Sequence, residues 1–290
     1  MSLQFGLLGQ ERKRREGVID TRAFKITETQ VKEDSGAPDE QHPEGAMIIN
    51  TAENRVYVRT KGSADAPDVA HYKLNESSGT TASDTSGSAN VHDGTATTSA
   101  NWVSAKYDNG FDTTDSDDIE ITGHADFDFN GDFTVEFWMK ADTIADNEFM
   151  VIRQNPASTR HWNVGFTGST GIVRCQVRGS SGSQTLDSIT KIQTGAYVHI
   201  AFTFDDSATT GRIYIDGVLD ASDATMSPGT VDFDTTDNVF IGAQDGGVGR
   251  FDGIIDDVKV WKSLRTETQV NSDLLDGTGL VWTYARLQTA

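Results

Sequence analysis

The sequence contains few residues that cross-link or stiffen a chain. Its 290 residues include one cysteine, Cys175, and five prolines. A single cysteine excludes a disulfide within the chain, so the cross-linked framework of many small secreted domains is not expected. Cys175 lies between Val173 and Val177 in an alternating segment, and this position predicts a small, buried, apolar side chain.

Long apolar runs are also missing. No segment approaches the roughly 20 consecutive apolar residues that a membrane-spanning helix requires, so membrane insertion is not expected. The apolar stretch from Leu3 to Leu8 is too short for the core of a signal peptide, and the basic cluster from Arg12 to Arg15 follows it instead of preceding it. Sec-type export is therefore not predicted.

Positive charge is scarce. The chain has 44 acidic residues and 24 basic ones, of which 10 are lysines, and its formal net charge is −20. Binding to nucleic-acid phosphates needs clustered cations, so the acidic balance argues against that class of function. A surface rich in aspartate and poor in lysine predicts a halophilic source, because high salt screens the repulsion between carboxylates. The alternative is an ordinary acidic extracellular protein with aspartates in turns and calcium loops.

Short alternating segments fill the region between Asp68 and about Leu275. In FTVEFWMK, from Phe133 to Lys140, apolar core-type residues occupy every second position. This period of two predicts half-buried antiparallel strands. The dipeptide Asp216-Gly217 predicts a tight type I′ hairpin turn, which needs two positive φ angles. The segments together predict an all-β sandwich.

Three segments then carry a family resemblance: FTVEFWMK, YVHIAFTFDDSATTGRIYIDGVLDAS and FDGIIDDVKVWKSLRTETQV. With VAHYKLNESSG before them, they resemble the laminin-G-like members of the concanavalin A-like lectin and glucanase superfamily. The resemblance implies an antiparallel jelly-roll domain over residues 68–276. It leaves an extended arm over residues 1–45, a β-hairpin and linker over 46–67, and an extra strand over 277–290. Such domains serve as sugar-binding modules, adhesion domains, spacers and hydrolases, so the resemblance leaves function open.

The two ends of the chain differ from the central region. Residues 28–45 are polar and charged, as expected for an arm without a core of its own. Residues 46–59 predict a hairpin that resembles those of tail-fibre and other virion proteins. A lone hairpin is marginally stable, so it must lean on the sandwich, on a copy of itself or on another protein. Residues 279–287 predict a strand at the edge of the sandwich, with donation to a neighbouring subunit as the alternative.

A loop from Ser83 to Gly94 is rich in oxygen ligands. It offers Asp84, Asn90 and Asp93, which predicts a structural Ca²⁺ site because calcium takes six to eight oxygen ligands. Strand parity places Asp256 on the face of Val258, pointing inward, and the resemblance implies calcium near Asp84 and Asp256. The alternative is that Asp256 accepts hydrogen bonds from backbone N–H groups of the Asp84 loop.

A sugar site needs an aromatic platform beside polar groups. Trp138 alternates with the apolar residues of its strand and therefore faces outward. Outward polar residues on two later strands complete the predicted ligand-binding set, namely His161, Asn163, Arg174 and Arg178. The alternative is that a loop covers Trp138 and that the arginines are simply solvated.

Catalytic signatures are missing. Glucanases of the superfamily that the chain resembles carry a Glu-x-Asp-x-Glu run or a near variant on one strand, and the sequence has none. The six histidines are scattered without the spacing of zinc motifs. An enzyme, whether a glycoside hydrolase or a lyase, is therefore the least expected class.

The sequence thus favours a non-catalytic surface module of an assembly, such as a virion decoration, turret or fibre protein. Residues 1–59 would contact structural proteins and further copies of the chain, with a trimer as one arrangement, while the jelly roll recognises glycans or a host surface. The alternative is a purely structural spacer. The expected location is the virion surface, or otherwise the extracellular space or a cell surface.

Overall fold

The computed structural model describes residues 66–98, 101–114, 117–155, 159–230 and 236–274, and the backbone of the strands at 31–34, 47–50, 55–61 and 280–286. The chain divides into two units. One contains residues 1–64 and 275–290, and the other contains residues 65–274.

The larger unit consists of two eight-stranded sheets. Sheet I contains β4 (Ala70–Tyr72), β7 (Trp102–Ser104), β8 (Asn109–Asp112), β10 (Phe133–Ala141), β15 (Val198–Asp205), β16 (Thr210–Ile215), β17 (Val218–Asp223) and β19 (Gly253–Trp261). Sheet II contains β5 (Thr81–Ala82), β6 (Gly94–Ala96), β9 (Ile119–Ile121), β11 (Phe149–Gln154), β12 (Arg160–Thr167), β13 (Ile172–Gly179), β14 (Gly182–Lys191) and β18 (Asn238–Ile241).

Both sheets are antiparallel throughout. Sheet I has the order β17-β16-β15-β10-β19-β8-β7, and β4 also pairs with β19. Sheet II has the order β14-β13-β12-β11-β18-β9-β6-β5. The predicted all-β, antiparallel jelly-roll sandwich is confirmed.

The core fills the space between the two sheets. Sheet I contributes the predicted apolar face of β10, including Phe133, Val135 and Phe137, and sheet II contributes Trp162 and Cys175. Cys175 is fully buried as predicted, and burial raises the pKa of its thiol well above the usual range. Every second residue of these strands faces the core, so the intervening residues form the two outer faces of the sandwich.

The predicted turn at Asp216-Gly217 is also confirmed. Asp216 and Gly217 have φ angles of 49° and 76°, as a type I′ turn requires. One helix, α1 (Glu267–Asp273), follows β19, and Thr266 caps it by accepting a hydrogen bond from the Gln269 backbone N–H. No helix in the described part of the chain is long and apolar enough to cross a membrane.

The smaller unit contains a four-stranded sheet of order β1-β2-β3-β20. Its strands are β1 (Val31–Asp34), β2 (Met47–Asn50), β3 (Arg55–Lys61) and β20 (Leu280–Arg286). The antiparallel pair β2 and β3 forms the hairpin expected over residues 46–59. The prediction that the C-terminal strand lies at the edge of the sandwich is wrong, because β20 pairs with β3 along its whole length. Most of the predicted arm lies outside the described residues.

Charged side chains are buried on the outer face of sheet I. Helix α1 packs there through Val270, which contacts Ala201 and Tyr214. Lys259 is 1% exposed, and its ammonium lies 2.9 Å from a carboxylate oxygen of Asp257. Arg265 is also buried, 2.5 Å from Asp273. Each buried cation therefore has an anionic partner, as burial in a medium of low dielectric constant requires.

A β-bulge in β19 reverses the orientation that parity predicts for Asp256. The register of β10 with β19 shifts between Glu136 and Trp138, and Asp257 has a positive φ of 51°. The extra residue moves Asp256 opposite the outward-facing Trp138 instead of onto the core face of Val258. The inward orientation predicted for Asp256 is therefore wrong, because a single inserted residue reverses the alternation of a strand.

The two aspartates of the bulge have opposite electrostatic environments. Burial raises the pKa of Asp256 to about 8, although the backbone N–H of Tyr107 donates to its carboxylate at 2.7 Å. Burial also disfavours the charged form of Asp257, but the charge of Lys259 and a hydrogen bond from His71 outweigh that effect. They hold the pKa of Asp257 well below its usual range. Asp256 therefore opposes folding when it ionises, whereas ionised Asp257 supports folding.

These environments predict that the same substitution at the two neighbouring positions changes the free energy of unfolding in opposite directions. The folded-state pKa of Asp256 is raised, so its stabilising contribution is complete near pH 4 and is lost as pH rises towards 8. We expect Asp256→Asn to raise the free energy of unfolding at pH 8 by on the order of 2 kcal/mol and to have little effect near pH 4. Asp257→Asn should lower the free energy of unfolding at pH 8 by about 3 kcal/mol, because it breaks a buried pair.

Urea unfolding of both variants at pH 4 and pH 8 measures these differences. The Asp257 variant is the matched control, since it makes the same chemical change one residue away. Equal destabilisation by both substitutions at pH 8 would contradict the assigned environments.

Candidate functional site

Four of the five predicted ligand-binding residues lie together on the outer face of sheet II. His161 and Asn163 belong to β12, and Arg174 and Arg178 belong to the adjacent β13. The two strands pair in register, with Asn163 opposite Gln176. Trp162 and Cys175 point from the same strands into the core, so the alternation used in the prediction holds for both strands. We call this outer face of β11, β12 and β13 the sheet II face.

Two of these residues already have partners. The Nε2 atom of His161 lies 2.5 Å from Asp237, and burial lowers the pKa of His161 despite this neighbour, so the ring is neutral at pH 7. Arg174 forms a bidentate ion pair with Asp187 on β14, with N–O distances of 2.6 and 2.7 Å. These groups shape the face, whereas Arg178 is exposed at its end.

The sheet II face holds buried amide groups that lack hydrogen-bond partners. Gln154, at the end of β11, is 1% exposed, and neither its Oε1 nor its Nε2 has a partner. Asn163 is 3% exposed, and its Nδ2 has none either. A buried amide without a partner costs about 1–3 kcal/mol, so its presence in a stable fold requires an explanation.

Arg160 extends along the same face. Its strand position is opposite Gln154, yet its guanidinium lies 4.6 Å from the ring centroid of Phe149, at the other end of β11. No acceptor among the described residues contacts this guanidinium. The backbone of Phe149 also pairs with Arg250, whose buried Nε has no partner. Unpaired donors of two arginines and two amides therefore occur together on the sheet II face.

The sequence prediction did not include Gln154, Arg160, Arg250 or Phe149. Two polar residues, Arg153 and Gln154, end the apolar segment FMVI of β11, and this was the one local signal for Gln154. Arg160 joins the group only because β11 and β12 pair, and Arg250 joins it through an isolated bridge to Phe149. Neither pairing can be read from sequence spacing.

The fifth predicted residue, Trp138, is separate from the other four. It lies on the outer face of sheet I and is 5% exposed. The rings of Tyr107 and His199 meet it edge-on, and the Lys106 ammonium lies 4.3 Å from its ring centroid. Its faces are thus covered within the domain, as the alternative interpretation expected, and it offers no open platform in this structure.

The four predicted metal ligands do not converge. The carboxylate of Asp84 accepts hydrogen bonds from the backbone N–H groups of His71, Ser86 and His92, all within 3.0 Å. Asp93 accepts from the Asp84 N–H, and the Asn90 amide donates to Asp126. Asp256 accepts a hydrogen bond from the backbone N–H of Tyr107, which lies outside the Asp84 loop. Among the described residues, these carboxylates form no group with metal-ligand spacing. Calcium at this loop stays a prediction.

A cleft of about 390 Å³ opens elsewhere on the domain. It is lined by Asn130, Asp206, Thr209 and residues 227–230. These side chains are small, polar or acidic, and they include neither an aromatic ring nor a cation. The sheet II face therefore carries the more specific chemistry.

Comparison with known proteins gives a family match. Residues 112–271, more than half of the chain, match the laminin G 3 family of the concanavalin A-like lectin/glucanases superfamily. A search of curated proteins finds no significant match.

Several solved structures share the fold. Domain 4 of AbnA, an extracellular GH43 arabinanase from Geobacillus stearothermophilus solved with arabinotriose, is 20% identical, with a TM-score of 0.56 over 73% of this chain and 100% of the other. The binding domain of botulinum neurotoxin serotype G is 13% identical, with a TM-score of 0.54 over 71% of this chain and 50% of the other. The serotype D binding domain is 16% identical, with a TM-score of 0.54 over 72% and 52%. At identities this low, the structural similarity shows a shared fold and nothing more.

The contacts of Asp84 predict how its loop depends on calcium. Since the carboxylate already accepts three backbone hydrogen bonds, we expect Asp84→Ala to lower the free energy of unfolding by about 2–3 kcal/mol. The loss should be the same in EDTA and in millimolar Ca²⁺. Thermal unfolding of the wild type and the variant under both conditions tests this, with Asp118→Asn as the control. A loss that appears only with calcium would instead establish Asp84 as a metal ligand.

Proposed function

This chain belongs to the concanavalin A-like lectin/glucanases superfamily, and we propose that its sheet II face binds a carbohydrate. The observation that carries the proposal is the buried, unpaired amide of Gln154, beside the unpaired Nδ2 of Asn163. Sugar hydroxyls both donate and accept hydrogen bonds, so they can satisfy both atoms of a glutamine amide. The related fold of the arabinanase domain, solved with arabinotriose, accommodates an oligosaccharide.

The charge of the face favours an acidic sugar. The chain carries a net charge of −20, yet Arg160, Arg178 and Arg250 occur on or beside this face. Arg160 has no anionic partner among the described residues, and burial lowers its pKa. A guanidinium binds a carboxylate through two parallel hydrogen bonds, which are stronger than neutral ones. We therefore assign the ligand to glycans that bear a carboxylate, with Arg160 moving from the Phe149 ring to meet it.

The carboxylates near the face support binding without hydrolysis. Glycoside hydrolysis needs two carboxyl groups free to act on one bond. Here Asp237 is bound to His161, Asp187 to Arg174, and Glu120 to the Asn238 amide. A non-catalytic module is therefore the function that we propose, and a hydrolase or lyase remains the less favoured class.

Two substitutions test the carbohydrate proposal. Arg160→Ala should weaken binding of an acidic oligosaccharide by roughly 10- to 100-fold, because it removes a charge-assisted pair. Gln154→Met should also weaken binding, but it should raise the free energy of unfolding by about 1 kcal/mol because it removes a buried amide without partners.

Glycan-array screening followed by calorimetry with oligogalacturonate and with neutral arabinotriose measures the ligand preference. Arg212→Ala, on sheet I, removes the same charge and is the control. Binding of the acidic glycan should weaken as salt rises. Equal affinity for neutral and acidic sugars would contradict the role of Arg160. Absence of glycan binding by the wild type would contradict the proposed function itself.

We propose a second role, in assembly, for the smaller unit. The two ends of the chain meet in one sheet through β3 and β20, in a unit separate from the jelly roll. Such an arrangement suits a surface protein of a virion or a similar assembly, in which this sheet contacts other copies, for example as a trimer, or other structural proteins. If the jelly roll binds no glycan, the chain is instead a structural spacer.

The assembly role predicts a change in oligomeric state on truncation. Light scattering of the full chain should report an oligomer, whereas a chain limited to residues 65–274 should be a folded monomer by the same measurement and by circular dichroism. Substitutions within the sheet II face, such as Arg160→Ala, should leave the oligomer intact. A monomeric full chain would contradict the assembly role and leave the glycan proposal standing.

A further inference from the structure

The loop around Asp84 brings a histidine next to a second histidine and an aspartate from elsewhere in the chain. The Nε2 atom of His92 lies 3.0 Å from Oδ2 of Asp126, and the Nδ1 atom of His124 lies 3.2 Å from the same oxygen. One ligand atom from each side chain lies within 4.8 Å of the others. These spacings match three ligands around a single metal ion, whose bonds to nitrogen and oxygen are about 2.0–2.2 Å long.

From this cluster we infer a transition-metal site formed by His92, His124 and Asp126. Two imidazoles and one carboxylate suit Zn²⁺, Co²⁺, Ni²⁺ or Cu²⁺. Calcium and magnesium prefer all-oxygen ligand sets, so they are not expected to bind here. The site is separate from the sheet II face, and none of its three ligands belongs to the oxygen-ligand set predicted from the sequence.

Backbone contacts hold the first ligand in place. Asp84 accepts a hydrogen bond from the His92 N–H at 3.0 Å, and the Tyr72 hydroxyl donates to the His92 carbonyl oxygen at 2.6 Å. The His92 ring is buried and packs against Phe127, with 5.0 Å between ring centroids. The oxygen-rich loop therefore has a defined use, because it fixes the histidine that it carries.

The other two ligands come from one short turn. His124 caps the 3-10 turn Ala125–Phe127, and Asp126 is the second residue of that turn. The Asn90 amide donates to Asp126 at 2.8 Å and orients its carboxylate, as outer-shell partners of metal ligands do. His124 and Asp126 are partly exposed, so the fourth position of a tetrahedral ion would face solvent.

A metal bound to both His92 and Asp126 replaces the hydrogen bond between Nε2 of His92 and Oδ2 of Asp126. Two further interactions compete with a metal. The Asp126 N–H donates to Nδ1 of His124 at 3.1 Å, and the Lys262 ammonium lies 3.5 Å from Oδ1 of Asp126. The first occupies the lone pair that would bind the ion, so binding requires a small rotation of the His124 ring. The second repels a cation, but the Lys262 side chain is 40% exposed and can turn into solvent. Removing this amine should therefore strengthen metal binding.

Such an ion would join the Ser83–Gly94 loop to the turn that follows β9. A ligand that binds only the folded state stabilises it in proportion to the logarithm of its concentration. The expected role is thus a structural clamp between two loops at one end of sheet II, with a solvent-facing position left on the metal.

Calorimetry of the full chain with Zn²⁺ tests the site, and Co²⁺ absorption identifies nitrogen ligands in tetrahedral geometry. We expect one strong site, an increase in the melting temperature with Zn²⁺, and no such increase with Ca²⁺ or Mg²⁺. His124→Gln and Asp126→Asn should each weaken Zn²⁺ binding by at least roughly tenfold. Both positions are partly exposed, so these variants should remain folded, and circular dichroism without metal verifies this.

Two further variants make the test specific. Lys262→Met should tighten Zn²⁺ binding, whereas Asp245→Asn, on a different loop, should leave it unchanged. Zn²⁺ binding that survives the His124 and Asp126 substitutions would locate the ion elsewhere and overturn the proposal. If none of Zn²⁺, Co²⁺, Ni²⁺ and Cu²⁺ binds at millimolar concentration, the proposal is overturned as well.

Discussion

The pairing of buried charges on the outer face of sheet I constrains the rest of this fold. Lys259 and Asp257 lie on β19, the strand to which β10, β8 and β4 all pair. An isolated charge at that depth would cost several kcal/mol, so each of these two groups needs its partner beneath α1. The bulge at Asp257 meets this requirement, because it turns that carboxylate towards Lys259 and His71.

The two outer faces of the sandwich consequently have different properties. On sheet I, helix α1 and the loop carrying Tyr107 cover the polar residues, and the cations are matched by carboxylates, although the buried carboxylate of Glu136 has no hydrogen-bond partner. On sheet II, Gln154 and Asn163 are buried without partners, and Arg160 rests on an aromatic ring without an acceptor. Unpaired amides beside an arginine without an acceptor suit a ligand that pairs them, and for this reason we propose the sheet II face as the binding surface.

Much of the fold could be predicted because strand parity is a local property. The alternation of β10 separated the core residues from the outward Trp138, and Asp216-Gly217 specified its turn by backbone sterics alone. The same logic failed at Asp256, where one inserted residue reversed the alternation. It also failed for β20, because any exposed strand edge could have accepted that strand.

The sequence by itself determined the alternating faces, the turns, the cap of α1 and the burial of Cys175, since each depends on neighbours a few residues apart. Only the tertiary structure decided which polar groups meet. His92 lies next to Asp126 across 34 positions, and Arg160 reaches Phe149 only because β11 and β12 pair. Site chemistry depends on distances between atoms, and those distances arise from strand pairing and loop packing that no local pattern encodes.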